Sequence, residues 1–108
     1  VAGPTAAERD AALRWAAAVR KARAALRRDV GAGRCDLADV LDRAATDPLV
    51  GQVRLSFLLE SLPGARKVDT RRHLLRLGLD GDLPLSELDD GIRQVVLREF
   101  PMTSRVRR

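Results

Sequence analysis

Apolar positions along this chain recur at spacings of three and four rather than two, the signature of helices that bury one face. The first such segment is long. Trp15, Val19, Ala22, Leu26 and Val30 form one narrow stripe, and Arg20, Lys21, Arg23, Arg27 and Arg28 all fall off it at about 100° per residue. The pattern predicts a helix from Thr5 to Val30. Thr5 is its N-cap, Glu8 three residues on completes a capping box, and Gly31 and Gly33 stop it. The stripe assigns Trp15 to the core.

Shorter helices follow. Asp36 caps a segment in which Leu37, Val40, Leu41 and Ala44 share a face, and Asp47-Pro48 breaks it. Leu55, Leu58, Leu59 and Leu62 repeat the spacing in a helix over 54–61, where Phe57 adds bulk. After Pro63-Gly64 a helix runs from Val68 to Leu77, stopped by Gly78. Residues 79–87 read as a loop. A last helix over 89–100 turns Ile92, Val95, Val96 and Phe100 inward and ends at Pro101. The architecture expected is all-α, with about five helices. A long basic N-terminal helix and its glycine stop (1–35) pack on a compact helical body (36–101), followed by a loose basic tail (102–108), all in one structural unit.

Composition supports helices over sheets. Trp15, Phe57 and Phe100 are the only Phe, Trp or Tyr residues in a chain that is 45% hydrophobic, and strands favour aromatic and β-branched residues. Net charge is +5 over 108 residues, and of the 20 basic residues only Lys21 and Lys67 are lysine. Arginine bias can reflect codon usage, yet the guanidinium fork suits phosphate oxygens. The charge is blocked: 1–35, 66–79 and 91–108 are basic, while 36–65 and 80–90 are acidic. Such a pattern points to an acidic partner, nucleic acid above all.

The chemistry concentrates at Leu62-Pro63-Gly64-Ala65-Arg66-Lys67-Val68. Here a tight turn opens directly into a helix whose free N–H groups attract phosphate, with Arg66 and Lys67 beside it. Phosphate contacts are therefore expected from the Gly64–Val68 backbone, Arg66 and Lys67. Arg54, Ser56, Arg71 and Arg72 flank them, and Arg20, Arg23 and Arg27 extend the footprint along the first helix. An ordinary helix–helix turn with solvated charges is the bland reading of the same residues.

The run Val53-Arg54-Leu55-Ser56-Phe57-Leu58-Leu59-Glu60-Ser61-Leu62-Pro63-Gly64, then Lys67-Val68 and Leu77-Gly78-Leu79, resembles the actinobacterial integration host factors. The final segment Gly91-Ile92-Arg93-Gln94-Val95-Val96-Leu97 and the Ala- and Arg-rich 6–30 resemble them too. The likeness covers about residues 8–100 and is sharpest over 53–79. It implies a helix-two-turn-helix fold that binds double-stranded DNA with little sequence preference and shapes the nucleoid. That fold is unrelated to the β-armed integration host factors of other bacteria. Two departures stand out. Arg66 occupies the second glycine of the family's Leu-Pro-Gly-x-Gly-Lys turn, where it either adds a side-chain contact or alters the geometry. Asp80, Asp82, Glu87, Asp89 and Asp90 stand where the family often carries arginines and a glycine-rich turn, and these five acids would repel DNA. The alternatives are thus a protein partner met through 80–90, on a repurposed DNA-binding fold, or RNA.

Other chemistries lack their residues. Cys35 is the only cysteine and His73 the only histidine, which argues against an intrachain disulfide and against a metal site. Asp80 and Asp82 supply only half the spacing of a calcium loop. No nucleophile–base arrangement or phosphate-loop motif is present, so neither an enzyme, nor a cofactor, nor a small-molecule substrate is expected. With no apolar run of membrane-spanning length and no secretory leader, the expectation is a monomer in the cytoplasm, at the nucleoid, without a membrane partner.

Overall fold

A computed structural model describes residues 3–100. The described residues contain six α-helices: α1 (Ala6–Gly31), α2 (Leu37–Ala44), α3 (Pro48–Gly51), α4 (Leu55–Glu60), α5 (Lys67–Leu77) and α6 (Asp90–Glu99), with a 3-10 turn at Leu85–Glu87. The expected stop at Pro101 and the basic tail lie outside the described residues.

Local chemistry explains most helix ends. Thr5 Oγ1 accepts from the Glu8 N–H at 3.0 Å while Glu8 accepts from the Thr5 N–H at 2.7 Å, a complete capping box. Asp36 and Asp39 build the same device at α2. α1 ends at Gly31, and Gly33 completes the stop. Gly33, at φ 76°, takes the left-handed conformation that lets its N–H reach the Val30 carbonyl (3.0 Å) and the Arg34 N–H reach that of Asp29 (2.8 Å).

Pro48 does more than end α2. It occupies the first turn of α3, where Asp47 caps the Leu49 N–H at 3.0 Å. Proline fits there because its missing N–H would have had no helical acceptor. The helix count is accordingly six rather than about five.

The core is aliphatic. Leu26 and Val30 of α1 meet Val40, Val50, Val53, Leu55, Leu58, Leu59, Leu74 and Val96. α1 lies against α3 and α4, α2 against α3 and α6, and α4 against α5. Arg93 bonds to Asp42, which joins α6 to α2. His73 meets the Glu99 carboxylate at 3.0 Å, and its ring centre lies 4.3 Å from that of Phe100, which joins α5 to the end of α6.

Trp15 is a correction. It lies on the expected stripe but is 48% exposed. The stripe identifies the face that points toward the body, but a 26-residue helix, about 39 Å long, outruns the short axes of the molecule, 29 and 26 Å, and Trp15 only borders an open groove with Ala44 and Pro48. The first turns of α1 project beyond it, with residues 3–15 exposed.

The acidic 80–90 segment is fastened across the start of α4. The Leu55 N–H donates to the Leu83 carbonyl (2.9 Å) and the Ser56 N–H to that of Gly81 (2.8 Å); the Leu85 N–H returns to Val53 (2.8 Å). Arg54 and Pro84 form an antiparallel bridge. These bonds satisfy helix-start donors that no side chain caps.

Candidate nucleic-acid interface

Two successive turns join α4 to α5. The Leu62 N–H donates to the Leu59 carbonyl at 3.3 Å, and the Ala65 N–H to the Leu62 carbonyl at 3.0 Å. The second turn has Pro63 and Gly64 at its centre, and Gly64 sits at φ 75°. Proline followed by a left-handed residue is the type II arrangement. α5 then starts at Lys67 behind an extended Arg66 (φ −116°, ψ 131°) with no side-chain cap. Its first-turn N–H groups thus retain their capacity to bind an anion. Val68 in that turn is 60% exposed, and Arg66 lies 3.9 Å from Asp69.

Beside this helix start lies a polar groove of about 350 Å³ between α1 and the α4–α5 pair. Arg23 and Arg27 line it from α1, Arg54 and Ser56 from the start of α4, and Lys67 and Arg71 from α5. Five cations there face two carboxylates, Glu60 and Asp82. Arg71 pairs with Glu60 at 3.2 Å and Arg54 with Asp82 at 3.6 Å. The guanidinium carbons of Arg27 and Arg23 stand 4.6 and 5.9 Å from the centre of the Phe57 ring, within cation–π range. The groove can therefore offer a fan of guanidinium donors and an ammonium to an anionic strand, next to a helix N-terminus.

No family model matches the chain. The integration host factor of Mycolicibacterium smegmatis is 38% identical to it over 93 residues, 86% of this chain and 89% of that protein. That of Mycobacterium tuberculosis is 37% identical over the same shares. The chain belongs to the integration host factor family. The Streptomyces coelicolor integration host factor is 32% identical over 96 residues, 89% of this chain and 90% of its own. A solved structure of sIHF bound to an 8bp palindromic DNA matches with a TM-score of 0.74 and 30% identity, over 79% of this chain and 96% of that one. The all-helical fold and the family expected from residues 53–79 are thus both found.

Within this integration host factor fold the expected site residues divide. Arg23, Arg27, Arg54, Ser56, Lys67 and Arg71 meet in the one groove. Arg66, Lys67 and Val68 share a shallow depression with Asp69 at the start of α5. Gly64 and Arg66 border a further groove of about 300 Å³ with His73, Glu99 and Phe100. Arg20 and Arg72 are exposed and line none of these three. Sequence reasoning did not place Phe57, Gln52, Glu60 or Asp82 at the site. Phe57 carried the one available signal, since it falls off the leucine stripe of α4.

The acids of 80–90 have local tasks. Asp80 accepts the Asp82 N–H at 2.9 Å, Asp89 caps α6 by accepting the Ile92 N–H at 2.8 Å, and Asp82 is the member that lines the cationic groove. Cys35 offers no activated thiol: burial pushes its pKa up. Among the described residues no three His, Cys, Asp or Glu side chains gather as a metal site, and no helix is long and apolar enough to cross a membrane.

Proposed function

We propose that this chain binds double-stranded DNA through its phosphates, largely without regard to sequence, as a non-enzymatic architectural protein of the nucleoid. One observation carries the reading: the uncapped start of α5 stands beside a groove in which cations from α1, α4 and α5 converge. The backbone from Gly64 to Val68, with Arg66 and Lys67, supplies the phosphate contacts at the turn. Arg54, Ser56 and Arg71 supply them in the groove with Arg23 and Arg27, while the exposed Arg20 and Arg72 extend the footprint along α1 and α5. The long helix and the compact body act as one unit, and a single chain holds the whole site. The 8bp DNA bound by the 30% identical sIHF supports duplex DNA as the ligand. The groove gathers five cations suited to phosphate oxygens, which supports an affinity that is electrostatic in origin.

The test is a titration of unrelated duplex sequences at several salt concentrations. The logarithm of the binding constant is expected to fall linearly with the logarithm of salt, by about 0.9 per neutralised phosphate. Lys67→Ala and Arg66→Ala should each weaken all sequences alike. Absence of binding to any duplex at low salt would falsify the reading. Preferential displacement by structured RNA would redirect it to that ligand.

A further inference from the structure

The groove holds two kinds of arginine. Arg54 and Arg71 each face a carboxylate, Asp82 at 3.6 Å and Glu60 at 3.2 Å, and the Glu60 side chain is only 14% exposed. The Glu60 carboxylate accepts a hydrogen bond from Arg71 and offsets the charge it would present to a phosphate, while Asp82, exposed and farther off, offsets that of Arg54 in part. Arg23 and Arg27 form no ion pair among the described residues. They stand over the Phe57 ring instead, at 5.9 and 4.6 Å. An aromatic ring attracts a cation through its quadrupole and leaves the positive charge uncompensated. It also restrains a long side chain that would otherwise lose rotamer freedom on meeting a ligand.

We propose that Phe57 is a positioning residue for DNA binding: its ring holds Arg23 and Arg27 of α1 over the groove with their charge uncompensated, so that they carry the larger share of the phosphate contacts there and the acid-paired Arg54 and Arg71 the smaller. The inference rests on the DNA reading and refines it. Phe57 belongs to α4 and the arginines to α1, so the ring also sets where the basic side of the long helix lies relative to the turn at Gly64.

The experiment measures duplex affinity of the full chain across a salt series for Phe57→Leu, Phe57→Tyr and the double variant Arg23→Gln/Arg27→Gln, with and without Phe57→Leu. Leucine keeps an apolar side chain and removes the ring; tyrosine keeps the ring. Phe57→Leu is expected to weaken binding and flatten the salt slope by up to about 1.8, corresponding to two contacts at about 0.9 each. Phe57→Tyr should retain the native slope. In the arginine-less background Phe57→Leu should change neither affinity nor slope, a coupling that a merely structural role for the ring would not produce. An unchanged slope in Phe57→Leu overturns the inference while leaving the DNA reading intact, as does an equal loss in the arginine-less background. If Phe57→Leu fails to fold, the surface double variant decides alone, and a native slope in it overturns the proposal. Absence of duplex binding by the unsubstituted chain removes the DNA reading and this inference together.

Discussion

At Gly64 a single backbone angle makes the turn. With φ at 75° and no atom beyond its chain neighbours within 4 Å of where a Cβ would stand, the position is open in space and restricted only in conformation. Gly64→Ala should therefore cost about 1–2 kcal/mol through left-handed strain alone, visible as a lower urea midpoint at unchanged slope of the unfolding curve. An unchanged midpoint would mean that the turn relaxes to another type. This residue, Pro63 and Lys67 were legible from the sequence because turn chemistry is local. The Phe57–Arg27 contact was not. The two residues are far apart along the chain, and periodicity says only that Phe57 leaves the leucine face. The carboxylates of the groove were hidden for the same reason: Asp82 reaches it because the loop bonds across the start of α4, a pairing no local pattern announces.

Among the elements, α1 best separates what periodicity tells from what it does not. Its face was readable from Leu26 and Val30, both buried, but the occupancy of that face was not, since Trp15 on the same stripe is half exposed. Leu26→Ala should cost about 2–5 kcal/mol, the range for emptying a buried leucine site. Trp15→Ala should cost less, although the side chain is larger. Paired chemical denaturation of the two variants checks this, and a Trp15 loss equal to that of Leu26 would place the first turns of α1 against the body. The start of α1 was legible through Thr5 and Glu8, whereas α3 was missed because Pro48 reads as a breaker unless its place in a first turn is recognised.

For the molecule as a whole, acid stability follows from three separated carboxylates. Hydrogen bonding by the Thr5 backbone lowers the pKa of Glu8, a bond from Arg34 lowers that of Asp29, and a bond with His73 lowers that of Glu99. Each group is more acidic folded than unfolded. Each therefore contributes stability that is present above its ordinary value, 4.5 for Glu8 and Glu99 and 3.8 for Asp29, and is lost as pH falls through the lowered folded value. The thermal midpoint should fall modestly as pH drops below this range, since none of the three groups is buried, and the fall should be smaller in Glu99→Gln. A midpoint that stays level on acidification would contradict the assignment.

The overhang of α1 also makes the molecule a ruler. The described residues extend 56 Å along the long axis, which corresponds to roughly 16 base pairs at a rise of 3.4 Å. An 8-bp duplex measures only about 27 Å on that scale, shorter than α1 itself. A helix that runs past its own core thus gives this small chain a reach set by helix length rather than by core volume. Residues could be added to or removed from its exposed end in whole turns, each about 5.4 Å, lengthening or shortening the span without repacking a single buried side chain.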